Sequence, residues 1–275
     1  MPPKRKALKP ADLTEMARDL AEMASPQEKK QKVALTAIAK EFVCPITQEL
    51  PIKPVTAEDG KIYEEKAIRE WFGTKRKALS PTTGAEIGTK LLPAPQARNT
   101  IEALVKSGAI DGELATAWTK KLELETLVKG TRAKAEGGDG DAMYLLGVAY
   151  ENGSYGLAKD EAQARAWYER SAAARYPKGM AVYGKSLLRG IGGPRDNVFG
   201  IMNVTQAAEL GSDVAAFLLG FAFFEGAHGL PKDTVRARYW LKKVVRVDGE
   251  CEIKHLHQRN IAEAAVWLRQ LDQEA

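Results

Sequence analysis

Three stretches of this chain align with one another, and no other feature restricts its fold as strongly. They are AMYLLGVAYENG at 142–153, GMAVYGKSLLRG at 179–190 and AAFLLGFAFFEG at 215–226. The internal glycines Gly147, Gly184 and Gly220 are spaced 37 and 36 residues apart, and the closing glycines Gly153, Gly190 and Gly226 keep that spacing. An aspartate follows each stretch, at Asp160, Asp196 and Asp233, and seven residues beyond each lie Trp167, Asn203 and Trp240. A period of this length predicts one pair of helices per unit and a stack of units, an α-solenoid. Glycine and alanine inside the first helix let the second approach closely. The closing glycine suits a left-handed helix end. Each aspartate is placed to cap the second helix, and Asp160 with Gln163 has the spacing of a capping box. The tryptophans are expected to fill the wedge between neighbouring pairs. The units run over about 138–174, 175–211 and 212–249. An amphipathic helix over 253–271, with Ile261, Ala264, Ala265 and Leu268 inward, is expected to cap the array within 138–275.

The rest of the chain reads differently. At 275 residues it has room for one large domain or two ordinary ones. Residues 1–40 hold nine Lys/Arg against five acids, which is +4 of the total net charge of +5. The remainder is nearly balanced, so a folded nucleic-acid surface has little support and a nucleic-acid partner is disfavoured. This basic segment is expected to be a helical arm, with Leu13, Met16, Leu20 and Met23 at helical spacing. Its PPKRK start resembles an import signal, so the expected location is cytoplasmic, nuclear or both. No run of about 18 apolar residues is present, and no membrane partner is expected. Two cysteines, Cys44 and Cys251, make neither a disulfide framework nor a zinc cluster. An intracellular, reducing compartment follows as the expectation.

Residues 41–107 are punctuated by prolines and by Asp59-Gly60 and Thr83-Gly84, the chemistry of turns between short elements. Short strands are expected at Ile52 to Val55 and Lys61 to Tyr63, then a helix from Tyr63 to Phe72. A second helix is expected from about Pro95 to Lys106, with Ile101, Leu104 and Val105 as its buried stripe. Residues 108–137 read as a helical linker, polar on most sides and solvated.

The spaced residues Cys44-Pro45-Ile46-Thr47, Glu49, Pro54-Val55, Asp59-Gly60, Tyr63-Glu64, Ala67-Ile68 and Trp71 resemble a U-box, the zinc-free relative of the RING domain found in ubiquitin ligases. The second half continues the likeness at Ser80-Pro81, Thr83, Leu92-Pro93, Arg98 and Ile101. The repeats resemble Sel1-like repeats, relatives of the TPR. The expected fold class is therefore mainly α: a small α+β, RING-like module at 41–107, then a solenoid of Sel1-like helix pairs. Gly147, Gly184, Gly220, Trp167 and Trp240 are its expected structural positions.

The resemblance implies a ligase that forms no covalent bond to ubiquitin and works by positioning a ubiquitin-charged E2. It thus implies no catalytic side chain, no cofactor and no metal. Its implied E2 face is Ile46, Trp71 and Pro81, flanked by Gln48 and Thr83. With one cysteine and no histidine in the region, hydrogen bonds and ion pairs must hold the loops. Glu49, Asp59, Tyr63 and Arg98 are the expected network, with Lys61, Glu64 and Glu65 as further candidates. Cys44 is read as a buried structural thiol, since no histidine precedes residue 228 to act as its base. Three departures stand out: Ser80 where many members have Cys, Gly84 where active members often carry an Arg, and Ala94 where an Asn commonly ties the loops. Lys53, before Pro54, replaces a usual acidic or neutral residue. Cys251, His255 and His257 do not form a complete metal set. The implied partners are an E2, ubiquitin, and a protein substrate or scaffold on the solenoid, with homodimerisation through the U-box common in such proteins. The rival expectation is a non-catalytic adaptor with a degenerate U-box.

Overall fold

The computed structural model describes residues 27, 34–35, 37–74, 77–245 and 256–273. Its contacts divide the chain into two compact units, Met1–Leu122 and Glu123–Ala275. The expected helix through Leu13, Met16, Leu20 and Met23, and the residues Cys251 and His255, lie outside the described residues.

The first unit is built on a three-stranded antiparallel sheet of order β2-β1-β3, with β1 Pro54–Thr56, β2 Ile62–Glu64 and β3 Leu92–Pro93. Val55 pairs with Tyr63 on one side and with Pro93 on the other. The hairpin is displaced from its expected start at Ile52. The Glu64 carboxylate takes the backbone N–H groups of Ile52 (2.7 Å) and Lys53 (3.2 Å), which removes both from the ladder. Helix α1 begins at Glu65, not Tyr63, and ends at Gly73. Tyr63 is held in β2 with its side chain fully buried. Helix α2 runs over Pro95–Lys106, with Pro95 in its first turn and Ile101 buried.

Residues 108–137 differ from the solvated spacer expected of them. Helix α3 spans Gly112–Glu136. Its opening turns lie in the first unit's core, where Trp118 is 3% exposed and Leu114, Ala115 and Leu122 pack beside it. The stripe Leu114–Trp118–Leu122 repeats at i, i+4, i+8. Flanking lysines and glutamates hide it from a reading by composition.

The second unit holds the pairs α4 (Gly140–Asn152) and α5 (Glu161–Ala173), α6 (Pro177–Arg189) and α7 (Asn197–Glu209), and α8 (Asp213–Glu225) and α9 (Thr234–Val245), followed by α10 (Gln258–Gln273). The internal glycines sit where each first helix meets its second. A Cβ on Gly184 would stand 2.6 Å from Val204 Cγ2 and 2.9 Å from the Gly200 carbonyl oxygen, and one on Gly220 would stand 2.7 Å from Leu241 Cδ2. Gly147 faces the ring of Tyr168 in the same way. Gly153, Gly190 and Gly226 end their helices in the left-handed conformation. Asp160, Asp196 and Asp233 accept from the N–H of Gln163, Phe199 and Arg236 at 2.9, 3.0 and 2.9 Å. The capping box at Asp160 is only half made, because its own N–H is committed to the Tyr150 carbonyl.

The seams between repeats follow a rule as well. Gly138, Arg175 and Gly211 occupy equivalent positions, all with positive φ, so Arg175 stands in a conformation that its two counterparts fill with glycine. Across the first seam, a Cβ on Gly179 would lie 2.5 Å from the Cβ of Ser171, whose hydroxyl donates to the Gly140 carbonyl at 2.6 Å. The equivalent positions at the next seam are Ala207 and Ala215, both fully buried. Trp167 clusters with Ala135 of α3, the helix before its own pair, and with Ala142, Met143 and Leu146 of α4. Trp240 is partly buried against the core shared by α5 to α10. Asn203 spends its amide on the Phe199 carbonyl (2.9 Å). At the end of the array, Trp267 of α10 packs against Phe217, Phe221 and Phe224 with ring centroids 5.3–5.7 Å apart.

Candidate functional site

Two loops of the first unit, residues 42–53 and 77–91, converge on one apolar cluster. Cys44, Val55, Tyr63 and Ile68 form its interior, and Ile46, Trp71, Phe72 and Leu91 close it as partly exposed side chains. Ile46 lies at the tip of a loop closed on itself by Gln48 N–H to Cys44 O and Cys44 N–H to Glu49 O, both 2.9 Å. Cys44 is fully buried within that turn. Trp71 projects from the last turn of α1, and its indole N–H donates to the Leu79 carbonyl at 2.8 Å, fastening the second loop to the helix. Pro81 follows two residues later and is partly exposed. Gln48, with a positive φ, folds its amide onto the Pro45 carbonyl (2.7 Å). Thr83 is exposed and its hydroxyl accepts from Ala85 N–H (3.3 Å).

The loops are held by polar contacts radiating from the hairpin. Asp59 is the hub. Its carboxylate accepts from the Ser80 hydroxyl at 2.6 Å, the Tyr63 hydroxyl at 2.7 Å and the Lys61 N–H at 3.0 Å. Burial acts to raise the Asp59 carboxyl, but the bonds from Ser80, Tyr63 and Lys61 outweigh it and hold its pKa below the ordinary value. Burial and the bond to Asp59 push the Tyr63 phenol up to about 12. Ser80, buried, accepts in turn from Thr82 and Thr83 N–H, so it orders the turn carrying Pro81. Glu58 accepts from Gly88 N–H (2.8 Å) at the other end of the same loop. The first loop's exit is held by Glu64, by Arg98 donating to the Ile52 carbonyl (3.0 Å), and by Trp118 donating to the Pro51 carbonyl (3.2 Å).

The expected network residues therefore divide. Asp59, Tyr63, Arg98 and Glu64 bridge elements. Glu49 reaches Lys121 of α3. Lys61 contributes its backbone to Asp59, while Glu65 pairs with Arg69 on its own helix, so neither side chain ties a loop. Glu58 and Trp118 are absent from the expected network, and Ser80, expected only as part of the motif, joins it through Asp59. A serine beside proline reads as an ordinary turn, and Trp118 lies beyond the motif. Gly84 adopts a φ of +72° with open space around it, so the glycine there serves the turn itself. Ala94 precedes α2 without any side-chain cap. Among the described residues, no group of three or more His, Cys, Asp or Glu is arranged to hold a metal ion.

In the second unit three tyrosine hydroxyls donate to carboxylates: Tyr168 to Glu151 (2.5 Å), Tyr176 to Asp141 (2.5 Å) and Tyr183 to Glu169 (3.0 Å). Burial and these carboxylates raise all three phenols. On the second helices, Val198 (78% exposed) and Phe199 of α7, and Val235 (72%) and Tyr239 of α9, turn large apolar side chains outward.

A hairpin–helix module with two carboxylate-held loops, followed by a helix-pair solenoid, defines the class of protein: a RING-like module joined to an α-solenoid. The comparisons are specific on both parts. Residues 38–109 match the U-box domain model, and residues 140–176, 177–212 and 213–243 match the Sel1 repeat model. A Medicago truncatula protein named as a candidate E3 ubiquitin-protein ligase, LIN, is 46% identical over 54 residues, covering 20% of this chain and 4% of that protein. The human WD repeat, SAM and U-box domain-containing protein 1 is 41% identical over 63 residues, covering 23% of this chain and 13% of that protein. The chain spans between 4 and 14% of the length of the curated relatives it matches. A solved Sel1 repeat protein from Oxalobacter formigenes is 33% identical, with 43% of this chain and 89% of that chain covered and a TM-score of 0.40. The chain thus carries a U-box domain followed by three Sel1 repeats. The described residues contain no helix long and apolar enough to cross a membrane.

Proposed function

We propose that this chain is a U-box ubiquitin ligase. It recruits a ubiquitin-charged E2 through residues 41–107 and a protein substrate or scaffold through the Sel1 array in 138–275. The observation that carries the reading is the Asp59 hub, which gives the second loop a fixed shape beside the first with no thiolate or imidazole in the network. A partly exposed apolar surface of Ile46, Trp71 and Pro81, flanked by Gln48 and Thr83, suits a small and transient interface. The protein then acts by orienting the E2-bound ubiquitin, with no covalent intermediate and no cofactor. The outward apolar side chains of α7 and α9 support the substrate role of the array. A ligase of this kind works in a compartment holding E1, E2 and ubiquitin, the cytoplasm or nucleus.

The test is reconstitution of the full chain with E1, ubiquitin and a panel of E2s, alongside Ile46→Ala. Ubiquitin chains that depend on one or a few E2s and vanish in the variant are expected. Folded protein inactive with every E2 would overturn the reading. A second reading, a docking adaptor, is favoured by Gly84, which offers no side chain to an E2 or ubiquitin. E2 binding without discharge would distinguish it.

A further inference from the structure

We infer that Trp118 and Lys121 of α3 are positioning residues for the Ile46 loop, so that the working U-box extends beyond residue 109, where the family match ends. The functional half of this inference rests on the ligase reading above. The loop has two stems, and α3 grips both. On entry, Phe42 and Val43 pack into the cluster that surrounds Trp118. On exit, the Glu49 carboxylate pairs with Lys121, and the Pro51 carbonyl accepts the Trp118 indole N–H. Between the stems the loop is closed by its own backbone bonds at Cys44, Gln48 and Glu49. Those local bonds close the loop, and the stems both hold them closed and fix the loop's orientation. Glu64 and Arg98 act one step further along, at Ile52 and Lys53, on the sheet side of Pro51. The segment 49–51 is thus tied to α3. Trp118 is buried, so the hydrogen bond to Pro51 is shielded from competing water. Ligation by positioning is sensitive to such second-hand geometry, because a loop displaced by about 1 Å presents its apolar contact wrongly.

The experiment uses the full chain with Trp118→Phe, which keeps a buried ring and removes the donor, Lys121→Glu, which places two carboxylates together, and the exchanged pair Glu49→Lys with Lys121→Glu. Two readouts are taken: steady-state discharge of ubiquitin-charged E2, and amide hydrogen exchange at Cys44 and Gln48, with α2 amides as an internal control. Trp118→Phe is expected to raise the KM for charged E2 about fivefold to tenfold with kcat unchanged, and to speed exchange at Cys44 and Gln48 about tenfold with α2 unaffected. Lys121→Glu shifts both readouts in the same direction, and the exchanged pair returns them to within about twofold of the parent. Parent-like KM and exchange in both single variants would overturn the inference. So would loss of activity with uniform acceleration of exchange, which a merely structural role produces. If the parent discharges no E2, the ligase reading fails instead, and exchange at Cys44 and Gln48 alone decides whether α3 orients the loop. Should Trp118→Phe not fold, the exposed Lys121 variants carry the same test.

Discussion

Replacing Asp59 with asparagine should unlock the second loop, and the size of the effect can be worked from the contacts. One carboxylate oxygen accepts from both Ser80 and Tyr63, at 2.6 and 2.7 Å, and the other accepts from Lys61 N–H. Asparagine offers one oxygen in place of two. If that oxygen faces the two hydroxyls, the amide NH2 confronts the Lys61 N–H; turned the other way, it confronts both hydroxyls. At least one charge-assisted bond is lost, worth about 1.5–3 kcal/mol, and a donor is left unpaired, so the expected cost is roughly 3 kcal/mol. Native-state amide exchange of the full chain measures this unit by unit. Protection at Val55 and Tyr63 in the sheet should fall about a hundredfold, with the second unit unchanged at Ala215. The pH dependence gives an independent check. The Asp59 carboxyl titrates below its ordinary value in the folded chain, so its contribution is complete above the unfolded value near pH 4 and is lost as pH falls through the folded one. The parent's first unit should therefore lose stability in acid more steeply than Asp59→Asn does. Equal protection at neutral pH, or parallel acid slopes, would refute the assignment of Asp59 as the hub.

Two further predictions concern the solenoid. Gly184→Ala drives a methyl into Val204 and the Gly200 carbonyl, and should cost about 1–3 kcal/mol, read as a lower thermal midpoint of the second unit with the first unaffected. Arg175→Gly should do the opposite. The left-handed backbone costs a non-glycine residue about 1–2 kcal/mol, and glycine returns part of that as lost chain entropy, so a net gain of up to about 1 kcal/mol and a midpoint about 2–4 °C higher are expected.

Much of this molecule is legible in its sequence. Glycines spaced by 37 and 36 residues can recur only where the same close approach recurs, and Gly147, Gly184 and Gly220 all lie at that approach. The aspartate caps were equally readable, because a cap needs only a side chain and the next three residues. Contacts between distant segments were not. Ser80 is an unremarkable turn residue until Asp59, 21 positions away, is folded against it. Trp118 hides in a helix whose lysines and glutamates dominate its composition, and its partner Pro51 lies 67 residues earlier. The strand boundaries shifted for a similar reason: a side chain, Glu64, competed successfully with the ladder for two backbone donors.

The seams of the array carry a consequence for its history and its engineering. Ser171 needs a partner with no side chain, and Gly179 provides it, whereas the following seam matches alanine with alanine at 207 and 215. The repeats are therefore keyed parts, each cut to one neighbour. Deleting the middle repeat would bring Ser171 against the methyl of Ala215. Lengthening the array by copying the first repeat would put alanine where Ser171 now meets glycine. A lineage that gained or lost a repeat here had to recut both sides of a joint together, so serine–glycine and alanine–alanine pairs should be inherited as pairs.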